Sequence, residues 1–121
     1  MALALPKRSP VEPAEVLRVN GATLQFYLGD CLDVLPGLPR EAYSVAVTSP
    51  PYNLGIAYRS YTDDLPRGQY LAWTEAWMRS LKRVLAPGGS FFLNVGSKPT
   101  DPWIAMDVAL ETAMNYLEHT G

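Results

Sequence analysis

The chain has 121 residues, enough for one small domain with one modest core. Hydrophobic residues make up 48% and charged residues 18%, and no apolar run approaches the roughly 18 residues of a membrane span. A formal net charge of -2 and a single cysteine exclude a strongly basic protein and an internal disulfide scaffold, and fit a reducing cytoplasm.

Residues 1–19 are proline-rich and charged and read as an arm preceding a domain over 20–121. The opening MALALPKRSP places its apolar residues before Lys7 and Arg8, the wrong order for a secretory signal. Asn20-Gly21 is a turn signal that joins a short strand at Val16–Val19 to a β-branched and aromatic strand at Thr23–Leu28. Gly29-Asp30 ends that strand. Cys31–Leu35 then reads as a short helical turn stopped by Pro36-Gly37. Asp30 suits a turn at a strand end, and Cys31 reads as a buried, inert thiol.

Tyr43–Thr48 is apolar almost throughout, as buried parallel strands are. It runs into Ser49-Pro50-Pro51-Tyr52-Asn53. The two prolines fix φ and remove two backbone donors, and Ser49 and Pro50, each preceding a proline, are held extended. The result is a stiff ledge with carbonyl oxygens free to accept and a ring, Tyr52, at its end. Such a ledge suits a planar ligand with an amino group, held at its edge by the hydroxyl and a carbonyl and on its face by the ring. The alternative is a rigid loop or a docking peptide for a proline-reading domain. Pro-Pro-x-Tyr readers need a residue that is missing here, and SH3-type ligands lie in exposed, low-complexity sequence.

Residues 53–67 read as a loop with few anchors, containing Tyr58, Arg59, Tyr61, Asp63, Asp64 and Arg67, either a lid or contact segment beside the ledge or a plain surface loop. Gln69–Leu85 is a helix, with Tyr70, Trp73, Trp77, Leu81 and Val84 at spacings of three and four. That stripe reads as the face packed on a sheet rather than a ligand-stacking surface. Arg79, Lys82 and Arg83 read as a solvated helix face. Ala86-Pro87-Gly88-Gly89 closes the helix, with Gly88 or Gly89 as its left-handed cap, and lacks the spacing of a phosphate loop. Ser90–Val95 is a further buried strand. Asp101 then caps a helix with Pro102 at its first position, running to about Tyr116. His119, in the tail, is assigned no role.

Strand–helix alternation with short loops predicts an α/β fold, a partial doubly wound and mostly parallel sheet. Ligands of such sheets sit outside the carboxyl ends of the strands. Asp30, Ser49–Tyr52 and Asn94–Gly96 each end a strand and are expected to line one crevice.

The string SPPYN resembles motif IV of the S-adenosylmethionine-dependent amino-methyltransferases of DNA. GDCLDVLPGLP, Gly29 to Pro39, is similar to the segment that precedes this motif in the family, and LKRVLAPGGSFFLNVG, Leu81 to Gly96, to the segment that follows it. The resemblance covers roughly residues 22–110. It implies an incomplete Rossmann-like methyltransferase domain, with DNA as partner and S-adenosylmethionine as cofactor, no metal and no membrane. It implies that the Ser49 side chain and the Pro50 carbonyl accept the two protons of an exocyclic amine, across the rigid Pro50-Pro51 pair, while Tyr52 stacks on a base swung out of the duplex. Asp30, and Cys31 beside it, fall where the family holds the cofactor's adenine. Ser at the first position leans toward cytosine N4 over adenine N6, although a hydroxyl or a carboxylate can accept from either amine. Cys31, outside any Pro-Cys pair, counts against cytosine C5 chemistry.

The family's aromatic-x-Gly-x-Gly cofactor loop matches no stretch of the sequence. In a circularly permuted branch that loop follows motif IV and the target-recognition region, and this chain has the front half of that order. It is therefore expected to be a portion of a longer enzyme, one part of a split enzyme completed by a second chain, or a half-domain that binds without catalysis. RNA- and protein-modifying relatives share the ledge, usually with Asn in place of Ser.

Overall fold

The computed structural model describes residues 11–56 and 63–117. The start of the arm, the loop residues Tyr58, Arg59 and Tyr61, and His119 lie outside the described residues.

The chain opens with an antiparallel hairpin of β1 (Glu15–Val19) and β2 (Ala22–Phe26), with Val19 opposite Ala22 and Glu15 opposite Phe26. Its turn is Asn20-Gly21, with φ of 49° and 80°, the left-handed pair that matches the twist of two short strands. Asp30 then caps α1 (Cys31–Val34), and a single 3-10 turn over Leu35–Gly37 follows. The helical path therefore continues through Pro36, whose missing N–H falls in the first turn and leaves no hydrogen bond unmade.

The centre of the fold is a β–α–β unit. β3 (Tyr43–Thr48) and β4 (Leu85–Leu93) are parallel and joined by α2 (Arg67–Val84). The pairing jumps from Tyr43 opposite Leu85 to Val45 opposite Ser90, so Ala86–Gly89 bulge out of β4. A Cβ on Gly89 would stand 2.9 Å from the Ala86 carbonyl and 3.1 Å from that of Ser44, an approach only glycine allows. Gly88 does take a left-handed φ of 75°, in this bulge and not at the helix end. The expected glycine cap is unnecessary because α2 runs straight into β4. Its last carbonyls, on Arg83 and Val84, are met by the N–H groups of Glu41 and Ala42 at 3.0 and 2.9 Å.

α3 (Ile104–Leu117) begins two residues later than the sequence suggested. Asp101 is not its cap: its carboxylate accepts from Arg67 Nε at 2.9 Å, and Arg67 also pairs with Asp107. The cap comes instead from outside the helix, where Ser97 Oγ accepts the N–H of Ala105 at 3.2 Å.

α2 and α3 pack together on one face of the β3–β4 pair. Tyr70, Ile104 and Val108 form the core cluster, with Leu65, Leu71, Trp73, Leu93 and Val95 against it. The aromatic stripe of α2 is core, as its spacing implied. Tyr70 stacks on Trp73 at 5.9 Å, and Trp77 meets Phe91 of β4 edge-on at 6.4 Å. Of the basic residues on α2, Arg79 pairs with Glu75. Arg83 is a tie rather than a solvated charge, donating to the carbonyls of Leu35 and Leu38 at 3.3 and 2.8 Å and so fastening the 3-10 turn to the helix.

The sheet departs from the expectation in two ways. β1–β2 and β3–β4 are separate two-stranded sheets, because the tight turn pairs β2 with β1 and not with a parallel neighbour. β3 is also buried on one side only. Val45, Val47 and Phe92 share the other face and are 57%, 75% and 59% exposed, because among the described residues both long helices lie on the opposite face. Apolar composition alone could not distinguish a strand covered on both faces from one with a single covered face.

This asymmetry sets the expected response to truncation. In urea unfolding of the chain, Met78→Ala, at a position 2% exposed, costs about 2–5 kcal/mol, whereas Val47→Ala changes stability by less than about 0.5 kcal/mol.

Candidate amine-binding site at the end of strand β3

The strand β3 delivers Ser49 to the surface at its carboxyl end, where the Ser49 and Tyr52 hydroxyls lie 2.7 Å apart. Ser49 is exposed and Tyr52 half-buried. The Tyr52 ring lies flush against Gly96, where an added Cβ would come within 2.8 Å of the ring. Behind the ledge, the Tyr70 hydroxyl donates to the Pro51 carbonyl at 2.7 Å. Among the described residues no hydrogen bond ends on the Pro50 carbonyl, so the acceptor that the resemblance implicates remains available.

The end of β4 comes to the same place. The N–H of Asn94 continues the ladder to the Thr48 carbonyl at 3.0 Å, and Asn94 Nδ2 lies 3.5 Å from Ser49 Oγ. The structure thus brings Ser49, Pro50, Pro51 and Tyr52 together with Asn94 and Gly96.

Asp30 and Cys31 are not part of this group. Asp30 caps α1 and Cys31 begins it, and neither shares a hydrogen bond with the ledge among the described residues. Asp30 Oδ1 accepts from the Leu32 N–H at 2.9 Å, the turn role that its place at a strand end implied. Cys31 is exposed rather than buried, since α1 is a single turn with no buried residue. Enough protein still surrounds the sulfur for desolvation to raise the thiol pKa, with the Asp30 carboxylate as the second cause.

Downstream, the loop has a strong anchor that its composition did not reveal. Asn53 and Asp63 are 5% and 3% exposed. The Asp63 carboxylate accepts the N–H groups of Asn53, Leu54 and Ile56, each at 3.0 Å. The side chain of Asn53 closes a reciprocal pair with Leu65: Oδ1 accepts at 2.8 Å and Nδ2 donates at 2.7 Å. Asn53 holds a left-handed φ of 62°, a conformation that its short polar side chain tolerates. Lys98 Nζ donates to the Asn53 carbonyl at 3.2 Å. The residue after Tyr52 is therefore fixed through its amide, its carbonyl and its side chain.

Sequence reasoning passed over Tyr70, Asp63 and Lys98 as supports of the ledge. A signal existed for the first: a tyrosine on a buried stripe must find a partner for its hydroxyl. For Asp63 the signal was weaker, an acidic residue in a loop whose backbone donors need acceptors. Among the described residues no cluster of three or more His, Cys, Asp or Glu could hold a metal ion. No described helix is long and apolar enough to cross a membrane.

The structure thus holds a β–α–β unit that presents Ser-Pro-Pro-Tyr at the carboxyl end of its first strand. The chain belongs to the N6/N4-type DNA methylase family, whose model matches residues 43–120. It is similar to the type II methyltransferase M.ScaI of Streptomyces caespitosus, 41% identical over 74 residues that cover 61% of this chain and 23% of that protein. It is 36% identical over 106 residues to the type II methyltransferase M.MjaVI of Methanocaldococcus jannaschii, covering 82% of this chain and 52% of the relative. Similarity to M.BglII of Bacillus subtilis is 35% over 77 residues, 64% of this chain and 21% of the relative. The chain thus spans about half, or less, of the length of these curated relatives.

The buried clamp yields a direct expectation. Asp63→Asn leaves one carbonyl oxygen for donors that now share two, and costs about 1–3 kcal/mol. Hydrogen exchange at the amides of Asn53, Leu54 and Ile56 accelerates about tenfold or more, while exchange within β1 and β2 stays unchanged.

Proposed function

We propose that this chain is the catalytic-motif portion of a site-specific DNA methyltransferase that moves a methyl group from S-adenosylmethionine to the exocyclic amine of a flipped base. Cytosine N4 is favoured over adenine N6, on the serine at position 49. The carrying observation is the exposed Ser49 hydroxyl, bonded to that of Tyr52, on a ledge that Tyr70, Gly96 and Asn53 hold.

An exocyclic base amine is a poor nucleophile because its lone pair is delocalised into the ring. Two acceptors, one for each amine proton, draw the lone pair out and fix its direction. In this reading Ser49 Oγ and the Pro50 carbonyl are those acceptors. The tight bond between Ser49 and Tyr52 assists, because a hydroxyl that donates to the Tyr52 oxygen keeps its lone pairs for the amine. Tyr52 offers its ring to the face of the base. Positioning of this kind supplies much of the rate in oriented reactions, and no covalent intermediate on the protein is needed.

S-adenosylmethionine, when bound, supplies the electrophilic methyl group. Asp30 would hold the adenine end, with Cys31 alongside. Its exposed carboxylate is an acceptor at a strand end, which fits the amine or hydroxyl donors of a nucleoside. Asp30 reaches the ledge only within a larger sheet, since β2 and β3 belong to separate sheets here. We therefore assign the complete Rossmann-like sheet to this chain together with a C-terminal half or a second chain.

The exposed apolar surfaces support that assignment. The outer face of β3–β4 is one. Met106, Leu110 and Met114 form a second along α3, with Trp103 just before it, and Leu17, Val19, Leu24 and Phe26 a third on the hairpin. A monomer rarely leaves so much apolar surface uncovered. The same observation favours the second reading, a half-domain that binds a partner and does not catalyse. The lone cysteine suits the reducing cytoplasm in which DNA would be met.

Two measurements test these assignments. In an assembled enzyme containing this chain, Ser49→Ala lowers the rate of methyl transfer to DNA at least about tenfold. Tyr52→Ala lowers it about 5- to 150-fold, the value of one stacked base. Full activity in both variants would reject the ledge as the catalytic site and leave the half-domain reading. For the isolated chain, titration calorimetry is expected to give no S-adenosylmethionine binding in the micromolar range, and micromolar binding would overturn the need for a second half.

A further inference from the structure

We infer that Asn94 is a base-reading residue, whose side-chain amide donates to the ring nitrogen adjacent to the amine that Ser49 receives. The inference rests on the proposed role of Ser49 and goes one atom further into the base.

The root of Asn94 is as rigid as the sheet, because its N–H extends the β3–β4 ladder to the Thr48 carbonyl at 3.0 Å. Its side chain is exposed on the ledge side of the strand end. The contact from Nδ2 to Ser49 Oγ, at 3.5 Å, is longer than a well-formed hydrogen bond, and Ser49 Oγ already has its tight partner in Tyr52 at 2.7 Å. The Asn94 amide is thus a donor aimed at the ledge and weakly engaged, with no shorter bond among the described residues.

Both candidate bases meet it in the same way. Of the two ring atoms bonded to the amine-bearing carbon, one is an unprotonated acceptor nitrogen, N3 in cytosine and N1 in adenine. In the inferred pose a base whose amine sits on Ser49 turns that nitrogen, and not C5, toward the Asn94 amide. Donation to the ring nitrogen does not free the amine lone pair. Asn94 therefore contributes to holding and orienting the base rather than to the transfer step, and rejects bases whose neighbouring ring atom carries hydrogen.

The test compares two duplexes in an active enzyme containing this chain. One carries the natural target base, the other an analogue in which that ring nitrogen is replaced by C–H. With the natural base, Asn94→Ala and the isosteric Asn94→Asp each raise KM about five- to tenfold and leave kcat within about twofold, the size of one lost hydrogen bond. With the unaltered enzyme the analogue raises KM by the same factor, and in the Asn94 variants it brings no further loss. Equal losses on both duplexes, or a fall in kcat at constant KM, overturn the inference and make Asn94 a structural residue. Full activity in Ser49→Ala, measured on the natural base alone, removes the reading beneath it and the inference with it.

Discussion

The hydrogen bond from the Tyr70 hydroxyl to the Pro51 carbonyl is the point at which the core and the candidate site become one structure. Tyr70 is 2% exposed and belongs to the central cluster with Ile104 and Val108. Its ring is held by packing and its hydroxyl by the ledge. The two prolines already restrict the ledge to few conformations, but restriction alone does not orient it. The bond from Tyr70 fixes one peptide plane, and the ring of Pro51 restricts the residue before it, Pro50, to extended backbone. A tyrosine suits this position because it fills core volume with its ring and reaches a backbone acceptor with its tip.

The other supports act on the residues that flank this point. Gly96 allows the strand end after β4 to approach the Tyr52 ring, and any side chain there would push the ring off the ledge. Asn53 accepts a left-handed backbone, and Asp63 gathers the N–H groups that this turn leaves without partners. Buried backbone donors must be satisfied, and one carboxylate satisfying three of them within four residues is an efficient local solution. The ledge is therefore rigid through three different kinds of force: proline sterics, a single hydrogen bond from the core, and a buried polar network. An acceptor set that must aim a lone pair benefits from such redundancy, since small misplacements are costly in oriented reactions.

Local rules made much of this legible from the sequence. The hairpin turn at Asn20-Gly21, the aromatic stripe of α2, the short turn after Asp30 and the strand leading into Ser49 follow from near-neighbour chemistry, and the structure has them. Element ends were less legible where distant residues replaced local caps. Ser97 does the capping expected of Asp101, and Glu41 and Ala42 do what a glycine after α2 was expected to do. The clamp at Asp63 spans ten residues to Asn53, and the tie from Arg83 to Leu38 spans 45. No periodicity reports contacts of that range. Burial of β3 was misjudged for a related reason: a strand's composition records the faces it can bury, and the surrounding chain decides how many it does.

That last point bears on how the apolar surface should be understood. A strand that reads Tyr-Ser-Val-Ala-Val-Thr carries more apolar surface than one helical layer can cover, and α3 has Ile104 and Val108 inward but Met106 and Leu110 outward, with Trp103 exposed just before it. Selection for a free-standing domain of this size would place charge on those outer positions, because exposed valines on a parallel strand invite association. Several charged residues are engaged within or beside the β–α–β unit: Arg67 with Asp101 and Asp107, Arg83 with the 3-10 turn, and Lys98 with Asn53. They tie the ledge-bearing unit together and leave its outer faces apolar. In the proposed assembly those outer faces are the ones a second half would cover, and the ledge at their rim would lie where such a sheet opens to a ligand.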